Sequence, residues 1–325
     1  MDRRGPRAVM TAGSVLGVLA VLAIAAAPSL QLFLLAWLLA GMAMSATLYA
    51  PAFTAIAGWA GHRRVRALTA VTLVAGLAST VFAPLTALLL QQLSWRHTYL
   101  VLALILVVTI PLHWWGLTPA WTPLTHTHKN ASAGERARVA RQPEFVLLVA
   151  ALTLGGFCVY AVAVNLVPLL TEHGISTTEA ALALGIGGAG QVAGRLVYGP
   201  VLTRFSARIR TVATLTAGSL TTLALAVVHQ PLALVGALSF AAGAARGIFT
   251  LIEATAVSDR WGAQSLGARN GILFGAVMAA SAFAPWLGTL LATALGGYAP
   301  AFAVLALGCL LAGVLVRPHH ADARG

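Results

Sequence analysis

Ten stretches of this 325-residue chain are long and apolar enough to cross a hydrocarbon layer, and that pattern constrains the fold more than any motif in it. A spanning helix needs about 20 mostly apolar residues. With breaks taken at prolines, glycines and charge clusters, the runs are 8–27, 31–60, 67–90, 97–118, 142–170, 177–202, 211–228, 231–256, 270–295 and 298–316. The second is long and holds Pro51, so one kinked helix is expected there. Gly296-Gly297 reads as a tight turn between the last two. A water-soluble alternative fails on charge: Asp, Glu, Lys and Arg make up 9% of the chain, against about 25% in soluble domains. The expected fold class is an all-α polytopic membrane protein of about ten transmembrane helices.

The positive charge fixes the expected orientation. The segments 1–7, 61–66, 119–141, 203–210, 257–269 and 317–325 hold 17 of the 20 Lys and Arg residues, and the opposite loops hold only Arg96. Arg195 and Arg246 lie within spans. Short cytoplasmic loops carry such an excess, so both termini are expected in the cytoplasm of a multi-pass protein of the cell membrane. Trp59, Trp114, Trp115, Trp121 and Trp261 gather near the cytoplasmic ends, as an aromatic belt does. A net charge of +12 distributed this way writes topology and gives no nucleic-acid patch. The first run also has the outline of a signal peptide, but cleavage after Ala27 would place Pro28 next.

An internal repeat runs through the chain. Phe82-Ala83-Pro84 recurs as Phe283-Ala284-Pro285, Val101-Leu102-Ala103-Leu104 recurs as Val304-Leu305-Ala306-Leu307, and Trp59 matches Trp261. The offsets are 201, 203 and 202 residues, so spans one to four map onto spans seven to ten. The division expected from this is an N-terminal half at 1–118 with four helices and a cytoplasmic linker at 119–141. A C-terminal half at 142–325 would hold six helices and a cytoplasmic tail.

This arrangement resembles the major facilitator superfamily, whose transporters join two six-helix halves by a long cytoplasmic loop. The back part of its signature, G-x-L-A-D-R-x-G-R-R, is reproduced by Asp2-Arg3-Arg4-Gly5-Pro6-Arg7, and Gly199-Pro200-Val201-Leu202-Thr203-Arg204 is a degenerate second copy. The resemblance implies that the chain holds family helices 3–6 and 7–12, and that the cellular protein starts upstream of Met1. It implies a gating role for Asp2, Arg3, Gly5 and Arg7. The stretch from Gln142-Pro143-Glu144-Phe145 through Asn165-Leu166-Val167-Pro168 to Gln191-Val192-Ala193-Gly194-Arg195 is similar to the monocarboxylate and oxalate–formate branch. There an arginine four residues before a glycine, as Arg195 stands before Gly199, is associated with an anionic substrate. The monocarboxylate carriers have an acid one turn earlier, where this chain has Gln191. The proton-linked arginine of many members is replaced by Trp37, and the antiporter glycines are missing around Pro84.

Arginine within a span costs about 2.5–3.5 kcal/mol on insertion scales and marks a functional site by default. Arg246 is the sixteenth residue of its expected span, roughly 4–5 Å past the middle. Glu253 shares its face, about 10 Å further along the axis. Arg195 lies about 8 Å to the cytoplasmic side of its span's centre, where it can fork onto a carboxylate or snorkel to the interface. Gln191, one turn earlier, and Asn165, beside Pro168, complete the candidate substrate-binding set. Asn165 also reads as a cap for the Pro168 kink.

Other signals have plainer readings. Gly185-Ile186-Gly187-Gly188-Ala189-Gly190 matches a dinucleotide fingerprint but follows no strand. Close helix packing explains the pairs Gly190/Gly194 and Gly243/Gly247, Ser176-Thr177-Thr178-Glu179 is a capping box, and Cys158 and Cys309 read as small buried hydrophobes. No metal or cofactor is expected, and no enzyme motif survives. The expected function is secondary transport of a small solute, an organic anion by preference, by alternating access. The partners would be that solute, a coupling ion such as a proton and the bilayer, in a monomer that binds no nucleic acid. An efflux carrier for neutral or cationic compounds, or a truncated remnant that transports nothing, are the alternatives.

Overall fold

The computed structural model describes residues 6–48, 51–52, 55–56, 59, 64–117, 141–199, 202–261 and 266–316. These residues form helices, which make up ten helical segments long and apolar enough to cross a membrane. The chain divides into two compact units, Met1–Thr72 with Leu85–Thr127, and Leu73–Pro84 with His128–Gly325. Asp2, Arg3 and Gly5 and linker residues 119–140 lie outside the described residues.

In the first unit α1 (Pro6–Ala26) packs against α2 (Leu30–Thr47). The crossing is close at Gly13, where a Cβ would come within 2.7 Å of the Ala46 methyl. Ser29 caps α2 by accepting from the Leu32 N–H at 3.4 Å, one of the donors a helix start leaves open. The chain beyond Leu48, including the surroundings of Pro51, is described only in part. The third expected span is two helices, α3 (Arg64–Gly76) and α4 (Ala78–Gln92), with the Leu77 N–H turned back to the Val74 carbonyl at 3.0 Å.

The fourth expected span also breaks, into α5 (Trp95–Val107) and α6 (Thr109–Gly116). Pro111 explains it: the ring has no N–H for the Val107 carbonyl and crowds that turn. Ala20, Ile24, Ala36 and Ala40 form the buried centre of this unit, edged by Phe33 and Tyr99. The Arg96 guanidinium donates to the Ala27 carbonyl at 2.9 Å and stacks on Trp95.

The second unit holds α7 (Pro143–Glu172), α8 (Thr177–Tyr198), a short 3-10 turn at Leu202–Arg204, α9 (Ala207–Val227), α10 (Leu232–Trp261), α11 (Leu266–Leu295) and α12 (Tyr298–Leu315). α9 starts four residues earlier than its apolar run because Ser206 caps it, accepting from the Ile209 N–H. α10 runs five residues past its expected end, to Trp261, which meets Phe145 edge-on at 5.7 Å.

Two apolar clusters fill the unit. One gathers Leu166, Leu169, Leu225, Phe302 and Leu305, the other Phe145, Leu152, Leu215, Phe249 and Leu273. Phe249 is fully buried and occupies the space left at Gly155, where a Cβ would stand 3.2 Å from its ring. The Ser176–Glu179 capping box is formed at the start of α8. Many large apolar side chains stay exposed on outward helix faces, Leu104 at 71% and Val314 at 78% among them, as contact with lipid rather than water allows.

Candidate functional site

The geometry of the site follows from how closely α8 and α10 approach. Gly190, Gly194, Gly243 and Gly247 leave room only for backbone: a Cβ on each would collide with the carbonyls of Phe240, Ala244, Gly187 and Gln191 respectively. Small residues that let helix backbones touch are the usual adhesive inside membranes. The contact places the end of α8 alongside the middle of α10, and two arginines are brought toward one another there.

Arg246 is the fifteenth of the 30 residues of α10, closer to the helix midpoint than the shorter apolar run implied. It lines a narrow crevice of about 40 Å³ formed by α7, α8, α9 and α10. Val162, Leu166 and Phe249 supply apolar walls, while Thr214, Thr222 and Ser239 supply hydroxyls. The Ser239 hydroxyl and the Arg246 Nε are buried with no hydrogen-bond partner. Among the described residues no carboxylate pairs with Arg246; Arg195 is the cation whose charge reaches it. A guanidinium in a mostly apolar crevice, with the unbonded Ser239 hydroxyl lining the same space, can donate hydrogen bonds to an anion.

Arg195 stands in the last turn of α8 and is buried, about 11 Å past the helix midpoint. Its Nη2 donates to the Thr250 hydroxyl at 3.5 Å, and Thr250 donates in turn to the Gly247 carbonyl at 2.8 Å. The guanidinium also lies against the backbone of Gly76, where a Cβ would be 3.1 Å from Nη1. Arg195 therefore does not snorkel freely; packing holds it in place.

The other candidates separate. Asn165 is buried, donates to the Ala161 carbonyl at 2.9 Å and accepts from the Thr289 hydroxyl at 3.2 Å. It joins α7 to α11 and does not cap the Pro168 kink, whose freed carbonyl is that of Val164. Gln191 contributes its backbone carbonyl to the contact with Gly247. Neither residue lines the crevice. Arg7 is the described member of the gating set; its guanidinium stacks 4.2 Å over Trp114 within the first unit.

Sequence reading missed a polar network where the end of α8, the start of α9 and the end of α10 meet. Arg210 pairs with Asp259 at 2.8 Å and donates to the Tyr198 hydroxyl at 3.1 Å, and Tyr198 bonds Thr255 at 2.9 Å. The scarcity of acids was the available signal, since Asp259 is one of eight in the chain. It also missed the Ser14–His113 hydrogen bond of 2.7 Å in the first unit.

The chain matches the model of the Major Facilitator Superfamily over residues 1–238 and 146–324. It belongs to that superfamily. Among its relatives, monocarboxylate transporter 13 of Rattus norvegicus is 30% identical over 199 residues, covering 60% of this chain and 45% of the relative. Monocarboxylate transporter 11 of Homo sapiens is 30% identical over 210 residues, covering 61% and 42%. The chain thus spans less than half the length of these relatives. The fold is similar to that of the E. coli fucose:proton symporter, with a TM-score of 0.65 and 16% identity over 98% of this chain and 84% of that one. A structure of the same transporter type in an outward conformation gives 0.63, at 17% identity and the same coverage.

Proposed function

We propose that the protein is a secondary transporter that carries a small organic anion across the cell membrane by alternating access. The observation that carries the reading is Arg246, a cation at the middle of a spanning helix that no carboxylate neutralises among the described residues. Keeping an arginine there costs about 2.5–3.5 kcal/mol on insertion scales, and a transported anion is the partner that offsets this. The crevice is small and mostly apolar, which favours a short carboxylate over a bulky amphiphile. The names of its monocarboxylate-transporter relatives point the same way. Arg195, held by Thr250 within electrostatic reach of Arg246, raises the positive potential of the site.

The test is uptake of radiolabelled L-lactate, oxalate and a neutral sugar into proteoliposomes containing the purified chain. An organic acid should be taken up in preference to the sugar. Arg246→Gln should reduce that uptake at least tenfold with the melting temperature in detergent unchanged. Uptake that survives the substitution would remove Arg246 from the site.

A further inference from the structure

Within the second unit, one buried carboxyl pairs with no cation among the described residues. Glu253 is 8% exposed on α10, and among the described residues it makes no hydrogen bond and no ion pair. Three other described acids of the unit have evident work near helix ends. Asp259 pairs with Arg210, Glu172 accepts from the Tyr298 N–H, and Glu179 closes a capping box.

Glu253 is also placed in line with the cationic groups of the site. Arg246, Thr250 and Glu253 follow at spacings of four and three on α10, so they share one face. Thr250 holds Arg195 from α8. Glu253 is one turn beyond that hydroxyl and about 10 Å along the axis from Arg246. At that separation no direct salt bridge forms between Glu253 and Arg246.

The charged and titratable groups on the helices packed against α10 are accounted for elsewhere. On α8, Arg195 is bonded to Thr250 and Tyr198 to Thr255. On α9, Arg210 pairs with Asp259 and Arg208 donates to the Val316 carbonyl. On α11, Arg269 donates to Gln142 and stacks on Trp261. Tyr160 of α7 reaches Arg246, Cys158 of α7 faces Cys309, and Glu144 and Glu172 lie at the ends of α7. On α10 itself Arg260 donates to the Ala256 carbonyl. None of these bonds to Glu253. A carboxyl with neither cation nor donor beside it is stable away from water only when it carries a proton.

We propose that Glu253 is the proton-carrying group of a proton–anion symport. The inference rests on the anion-transport reading above. A proton from one aqueous side adds to a carboxylate oxygen of Glu253 while the anion binds at Arg246. Both are released to the other side, the proton returning to water, so that one positive and one negative charge cross together.

Two measurements test it, one independent of any transported anion. In detergent, the infrared carboxylic-acid C=O band of the wild type, titrated with pH, should contain a component absent from Glu253→Gln and shifted in Glu253→Asp. Identical spectra in all three proteins would overturn the assignment whether or not lactate or oxalate is carried. In proteoliposomes, Glu253→Gln should keep exchange of labelled for unlabelled L-lactate or oxalate but lose at least tenfold in accumulation driven by an acid-outside gradient. Undiminished gradient-driven accumulation in the variant would equally sink it. If neither probe moves in the wild type, the anion reading fails and the infrared result alone decides the proton site.

Discussion

A buried charge is costly unless it is paired, and two arginines of the second unit answer that cost differently. Arg210 shows the rule: it is buried and uses both Asp259 and Tyr198. Arg246 answers it otherwise: its Nε is buried without a hydrogen-bond partner, and no carboxylate among the described residues pairs with it. His173, just past the end of α7, is an intermediate case. Its ring meets His229 edge-on at 5.6 Å, and burial first, then the His229 charge, lower its pKa below the usual 6.5 against the opposing pull of Glu172. The folded protein therefore binds this proton less readily than the unfolded chain. The associated stability is complete above about pH 6.5 and is lost as pH falls from there toward the lowered folded value. Thermal melts in detergent between pH 7.5 and 5.5 should show a steeper loss for the wild type than for His173→Gln. Equal slopes would mean that the histidine pair carries no such linkage.

At the scale of helices, what could be read from the sequence was whatever depends on near neighbours. The spans, the Ser176 capping box and the glycine contact faces are all set by residues a few positions apart. The breaks in the third and fourth spans were not read, although Gly76 and Pro111 lie beside them, because Pro168 and Pro285 sit inside unbroken helices and a proline or glycine alone does not decide. The Arg210–Asp259 pair, 49 residues apart, and the Asn165–Thr289 bond, 124 residues apart, were not legible, because long-range partners are chosen by packing. Asn165 illustrates the cost of reading locally: its neighbour Pro168 suggested a cap, while the fold uses it to join α7 to α11. The α8–α10 contact is the element on which the site depends. A leucine at Gly190 would have to displace the Phe240 backbone, so Gly190→Leu should destabilise by about 3 kcal/mol or more. It should also lower anion uptake, by moving Arg195 from Thr250. Gly41, with open space around its Cβ position, provides the control: Gly41→Ala should melt as the wild type does. A Gly190→Leu protein with wild-type melting would show that the helices can part freely.

For the molecule as a whole, charge decides which way it lies and what can drive it. With 17 basic residues on one side and one on the other, insertion should leave both termini in the cytoplasm. In a background with Cys158 and Cys309 replaced by Ala, an impermeant maleimide should label Ser29→Cys and His229→Cys in intact cells. It should reach Arg204→Cys only in inside-out vesicles, and the opposite pattern would reverse the topology. That orientation sets a physical problem for an anion importer. Moving one negative charge inward against an inside-negative potential of 100 mV costs about 2.3 kcal/mol, roughly a fifty-fold penalty in accumulation. A proton travelling on Glu253 cancels the charge and the penalty together. Uptake of a monovalent anion by the wild type should therefore be indifferent to a valinomycin-imposed potassium potential. Glu253→Gln moves the anion without the proton, so an inside-negative potential should slow it and an inside-positive one speed it. Wild-type uptake that follows the imposed potential as the variant does would show that the anion travels with no compensating charge.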